Sequence, residues 1–194
     1  MRLFVALEIP AIVRAALAEL SARLRAQTGR SVRWVEPGNI HLTLKFIGDT
    51  DAARLHDIQA ALSSIRRPQP VLVVFRGLGD VRHPLPRVFA VGAEPSAELR
   101  GLAAEVDRVL VPAGAPAESR DFFPHLTLAR LKSSENAALL RAESRKISAV
   151  EFGRGACSEF DLMESRLRPS GAEYTRVARF PFCPPAAGTS GAAA

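Results

Sequence analysis

The sequence predicts an α+β protein of two related lobes, each an antiparallel sheet with helices on its outer face. Three observations predict it. The segment His41-Leu42-Thr43-Leu44 recurs 84 residues later as His125-Leu126-Thr127-Leu128, one copy in each half of a 194-residue chain. Both halves also hold strand-like apolar stretches, and between them lie segments with apolar residues three and four apart. The length suits one domain or two small lobes with a sizeable core, and an apolar fraction of 47% is ordinary for a globular protein.

Residues 2 to 8 read as a buried strand. Pro10 opens a helix, at a position where its missing N–H costs little. Ile12, Ala16, Leu17, Leu20 and Leu24 are assigned to the apolar face of that helix, and Gly29 ends it. Trp34 and Val35 form a short strand before Pro37-Gly38, and the first motif strand then runs from His41 to Gly48-Asp49. A second helix spans residues 51–65 with Leu55, Ile58, Ala61 and Leu62 inward, and with His56 on the surface beside Asp57. Residues 71–75 and 87–91 read as a strand pair. The basic loop between them, with Arg76, Arg82, His83 and Arg87, is either an exposed loop or the lining of a nucleic-acid cleft. A helix over 94–111 turns Leu99, Leu102, Val106 and Leu110 to one side, and Pro112 to Pro116 break the chain. The second motif strand covers 125–131 and a short helix 134–145. Strands at 150–152, 159–166 and 173–180 follow, the last two joined by Pro169-Ser170-Gly171. The whole is expected as a single bilobal domain over residues 1–183, with a disordered tail over 184–194, which hold only Ala, Gly, Pro, Ser and Thr.

The repeated motif carries the chemistry. Successive side chains of a strand point to opposite faces. In each copy, His and Thr therefore share one face, about 7 Å apart along the strand, and the two Leu residues share the other. One such strand would be an ordinary half-buried strand. Two, in a chain with four histidines, bring two imidazoles and two hydroxyls to one place. In-line attack on phosphorus needs a base for the nucleophile and an acid for the leaving oxygen, and two histidines fill those roles near neutral pH. The hydroxyls can donate to non-bridging phosphate oxygens. Even spacing puts Lys45 on the His41 face, where a cation disfavours imidazolium; the matching residue after His125 is Ala129. This parity makes His41 the base and His125 the acid. Phe46 is either a ring that stacks on a base or, as the same parity favours, a core residue on the leucine face.

The residues around the motifs form an ordered set. Arg2-Leu3-Phe4-Val5-Ala6-Leu7 opens it; Arg33-Trp34-Val35 and Pro37 precede His41-Leu42-Thr43-Leu44-Lys45-Phe46-Ile47-Gly48. Phe122 and Pro124 precede His125-Leu126-Thr127-Leu128-Ala129-Arg130. Glu164-Ser165-Arg166-Leu167, Gly171, Tyr174 and Phe180-Pro181 close it. The set resembles the two-histidine phosphoesterase superfamily, and within it the RNA 2′,3′-cyclic phosphodiesterases, the LigT-like branch once described as 2′-5′ RNA ligases. The resemblance covers about residues 1 to 182. It implies an active-site cleft between the lobes and hydrolysis of RNA 2′,3′-cyclic phosphate ends to 2′-phosphomonoesters, with weak reverse 2′-5′ joining. It implies that His41 and His125 transfer protons, that Thr43 and Thr127 hold phosphate oxygens, and that Arg130 adds charge. The same motifs would also serve a phosphodiesterase of small cyclic nucleotides, or persist in an RNA-binding module that has lost catalysis.

Composition narrows the field further. With 26 basic and 20 acidic residues the net charge is +6, which favours an anionic partner, here RNA or a cyclic nucleotide. Phosphate-loop and nucleophile-elbow motifs are absent. Two imidazoles fall short of the three or four ligands of a zinc site, so neither cofactor nor metal is expected. Cys157 and Cys183 are the only cysteines; two thiols are the simpler reading, one disulfide the other. No signal peptide or long apolar run is apparent. A cytoplasmic monomer, away from membranes, is expected.

Overall fold

The structure, a computed structural model, describes residues 1–66, 69–77, 88–168 and 171–182. Its first strand, β1 (Arg2–Glu8), is buried along Leu3 to Leu7. Pro10 caps α1 (Ala11–Thr28), and its carbonyl accepts from Arg14 N at 3.0 Å. The helix ends at Gly29, whose φ of 54° suits a residue without Cβ. Its buried stripe is Val13, Leu17, Leu20 and Leu24. Ile12 is not part of it: lying about 100° round the helix from Val13, it is 71% exposed.

Eight further strands follow: β2 (Val32–Trp34), β3 (His41–Asp49), β4 (Val71–Arg76), β5 (Val88–Ala93), β6 (His125–Leu131), β7 (Glu151–Cys157), β8 (Glu159–Arg168) and β9 (Gly171–Pro181). Three helices lie between them: α2 (Leu55–Ser63), α3 (Ala97–Leu110) and α4 (Ala137–Lys146). The expected helix over 51–65 begins as a single 3-10 turn, Ala52–Arg54, which Asp51 caps by accepting from Ala53 N at 2.9 Å. His56 is exposed, and Leu99, Leu102, Val106 and Leu110 of α3 are buried.

The two expected sheets are the two ends of one antiparallel sheet, in the order β7-β4-β5-β6-β3-β1-β8-β9, with β2 paired to β6. The ends meet where β3 and β6 run side by side, through one registered pair, Leu42↔Leu126. Chain order does not divide the lobes. β8 and β9, from the C-terminal part, extend the lobe of β1 and β3, while β2 joins the lobe of β6. The helices cross over as well. α1 lies against β7 and β2, whereas α3 lies against α2, β3 and β4. Leu42, Leu44, Leu126 and Leu128 are buried in the resulting core.

Cys157 is a free, buried thiol that donates to Glu8 O at 3.6 Å, and burial pushes its pKa up to about 11. Cys183, the tail and the basic loop over 78–87 lie outside the described residues. Arg76, at the edge of that loop, pairs with Glu151 at 2.8 Å and Glu94 at 3.4 Å instead of facing the motif strands. Among the described residues no helix is long and apolar enough to cross a membrane.

Candidate active site

Both motif strands carry the same irregularity. Along β3, Val5 of β1 pairs with Lys45 and Ala6 with Thr43, so Leu44 has no partner. Along β6, Phe89 of β5 pairs with Ala129 and Ala90 with Thr127, so Leu128 has none. Two residues facing one is a β-bulge, and it shifts the alternation by one position. Leu44 and Lys45 are therefore both buried, as are Leu128 and Ala129. The next residue in each copy, Phe46 or Arg130, returns to the His-Thr face.

The bulge overturns two expectations. Lys45 does not share the His41 face; it enters the core, 4% exposed. Its ammonium donates to Asp107 Oδ1 at 2.5 Å and to Pro116 O at 2.6 Å. Phe46 is not in the core but 60% exposed, and it lines the cleft between the motif strands.

That cleft has a volume of about 600 Å³. His41, Thr43 and Phe46 enter it from β3, and His125, Thr127 and Arg130 from β6. All five residues singled out from the sequence therefore come together. Extending the Leu42↔Leu126 register by one residue each way sets His41 beside Thr127 and Thr43 beside His125. Arg2, Phe4, Arg120 and Tyr174 add to the wall, and among the described residues no carboxylate lines it. Among the described residues no group of three or more His, Cys, Asp or Glu side chains is placed to hold a metal ion.

Each imidazole is fixed by the backbone two residues before it. His41 Nδ1 lies 2.8 Å from Asn39 O, and His125 Nδ1 lies 2.9 Å from Phe123 O. A carbonyl oxygen only accepts, so Nδ1–H donates in both rings and Nε2 is the atom that takes or releases a proton. The surroundings then differ. Phe4 stacks on His41 with ring centroids 4.8 Å apart, and Tyr174 meets it edge-on at 5.1 Å. Burial lowers the pKa of His41 below 6.5, the proximity of His125 lowers it further, and the hydrogen bond to Asn39 opposes both. Burial raises the phenol pKa of Tyr174, against the pull of Arg130 and Arg2. Among the described residues, the aromatic ring beside His125 is that of Phe123, at 5.9 Å.

The family model LigT like Phosphoesterase matches residues 7–89 and 91–174, one motif in each stretch. The chain belongs to the LigT like phosphoesterase family. A relative from Aeropyrum pernix named RNA 2′,3′-cyclic phosphodiesterase is 39% identical over 158 residues, covering 79% of this chain and 89% of that one. TT0787 of Thermus thermophilus superimposes with a TM-score of 0.77 at 30% identity, covering 94% of this chain and 98% of that one. E. coli LigT complexed with 3′-AMP gives 0.72 at 26% identity, covering 93% and 97%.

Within this LigT like phosphoesterase, the motif alone did not point to Arg2, Phe4, Asn39, Arg120 or Tyr174. The available signal for Arg2 and Phe4 was their even spacing on a strand also rich in core residues. Arg120 reaches the cleft by a longer route. Asp107 Oδ1, held by Lys45, also accepts from Glu118 N at 3.1 Å, and Glu118 Oε1 accepts from Arg120 N at 3.2 Å. Lys45 of the first motif strand thus secures the loop that leads to the second histidine.

Proposed function

We propose that this LigT like phosphoesterase hydrolyses the 2′,3′-cyclic phosphate at an RNA 3′ end and leaves a 2′-phosphomonoester. The observation that carries this reading is a pair of imidazoles, each anchored through Nδ1, in a cleft whose described wall holds three arginines and no carboxylate. The name RNA 2′,3′-cyclic phosphodiesterase on relatives such as the Aeropyrum pernix protein supports it.

His41 is the base. Burial disfavours its imidazolium, which suits Nε2 to take a proton from water as the water oxygen bonds to phosphorus. His125 gives a proton to the 3′ oxygen as the P–O3′ bond breaks. The 2′ oxygen keeps the phosphate. Thr43 and Thr127 donate to the non-bridging oxygens, where charge accumulates, and Arg130 adds positive charge at the same wall. With proton transfer and charge both provided for, no metal ion is needed. A 5′-hydroxyl of a second RNA in place of water gives a 2′-5′ linkage by the same transfers, more slowly.

The deciding experiment incubates the protein with a 2′,3′-cyclic-phosphate oligonucleotide and with a 2′,3′-cyclic mononucleotide, then identifies the products. A 2′-phosphomonoester is expected. A 3′-phosphomonoester would reverse the leaving group, and binding without turnover of either substrate would make this an RNA-binding module.

A further inference from the structure

Arg33 of β2 and Arg130 of β6 stand directly opposite each other in an antiparallel ladder. Residues opposed in this way point to the same face, with Cβ atoms about 5 Å apart. Both arginines are exposed, while Val32, Trp34 and Ala129 beside them are buried. The shared face is therefore the cleft face, where Arg130 already forms part of the wall. On the other side of Arg130 the ladder places Val88, which offers no counter-charge. Neither guanidinium is paired with a carboxylate among the described residues. Elsewhere the sheet treats arginine differently: Arg176 is held by Asp161 at 2.8 Å and by Glu8 at 3.2 Å. Like charges directly opposed across a ladder are destabilising. An anion between them removes that penalty, and two guanidinium forks suit phosphate.

The location identifies the anion. Arg130 lies three residues beyond Thr127, about 10 Å further along the strand, and β2 pairs with the same edge of β6 as β3 does, beyond the Leu42↔Leu126 contact. Arg33 thus stands further along the cleft wall than the motif hydroxyls, and an RNA chain that ends in a 2′,3′-cyclic phosphate continues only through its 5′ side. We propose that Arg33 and Arg130 form a second phosphate site for the phosphodiester on the 5′ side of the terminal nucleotide, so that the enzyme favours oligonucleotides over mononucleotides. This rests on the cyclic phosphodiesterase reading above and adds a substrate class to it.

The test compares kcat/KM for a dinucleotide ending in a 2′,3′-cyclic phosphate with kcat/KM for the 2′,3′-cyclic mononucleotide. The wild type is expected to favour the dinucleotide by roughly tenfold or more, the scale of one hydrogen bond to a charged group. Arg33→Gln is expected to bring the ratio close to one, and added salt to lower it in the wild type. An equal ratio in both proteins overturns the second site. A fluorescent dinucleotide ending in a 2′-phosphate provides a readout that needs no turnover: Arg33→Gln should bind it roughly tenfold more weakly. If the wild type turns over neither cyclic substrate, the cyclic phosphodiesterase reading fails, and this binding comparison still decides the phosphate site. Equal binding by both proteins would overturn it. Because Arg33 is exposed and faces a like charge, the variant should melt no lower than the wild type.

Discussion

At His41, burial and hydrogen bonding act in opposite directions, and burial wins. Phe4 and Tyr174 strip water from the ring, so the imidazolium is disfavoured and the pKa lies below 6.5. A base with a depressed pKa stays competent to lower pH. The rising limb of kcat/KM against pH should therefore have its midpoint below 6.5. Tyr174→Ala readmits water and should move that midpoint upward; no movement would mean that burial is not the cause. His41→Ala and His125→Ala should each lower kcat by roughly 10²-fold or more, the usual scale for a general acid or base, with unchanged melting temperatures. The two variants differ in rescue. A substrate with sulfur in place of the 3′ oxygen needs little help from an acid, so it should restore much of the activity of His125→Ala and little of that of His41→Ala. The reverse pattern would exchange the two roles.

At the level of single elements, the lysine of the first motif shows what a strand pattern hides. Alternation alone placed the His-Thr pair and the leucines correctly, because these residues precede the bulge in both strands. It misplaced Lys45 and Phe46, which follow it. A two-against-one pairing is set by the register of the neighbouring strand, and nothing in His-Leu-Thr-Leu-Lys-Phe announces it. Strand existence was similarly local and legible, whereas membership of a lobe was not. The pairing of β2 with β6 and of β1 with β8 joins residues far apart in sequence. Lys45 now has a checkable structural role. Its side chain is buried against Asp107, whose pKa is held low first by that hydrogen bond. Lys45→Met removes the ammonium from Asp107, whose side chain is 30% exposed and keeps the Glu118 N–H, and should cost about 2 kcal/mol in urea unfolding, the scale of a hydrogen bond to a charged group. A cost near zero would show that the clamp on α3 and the Pro116 loop contributes little.

Over the whole molecule, two lobes meet at a seam one residue pair wide, and the cleft that holds both motif histidines lies on that seam. Each lobe supplies one imidazole and one hydroxyl, so in the proposed mechanism neither is sufficient alone. In the proposed mechanism the arginines on the wall supply the positive charge that a metal ion would otherwise bring. Activity should accordingly survive exhaustive treatment with EDTA. Loss on chelation followed by recovery with a divalent cation would show that the site works by another chemistry.

The shared bulge also bears on which changes in chain length each strand tolerates. Removing one residue from inside a strand ordinarily turns every later side chain to the opposite face. In β6 one residue is spare. Without Ala129, Thr127 still faces Ala90, Leu128 faces Phe89, and Arg130 still faces Val88, which leaves an unbroken ladder. A protein lacking Ala129 should fold and keep measurable turnover, while one lacking Leu126 would set His125 and Thr127 on opposite faces and lose it. In β3 the corresponding spare position is occupied by Lys45, so the same deletion would also remove the clamp on Asp107. The two copies of one motif therefore tolerate the same shortening differently: the second loses a spare residue, the first its clamp as well.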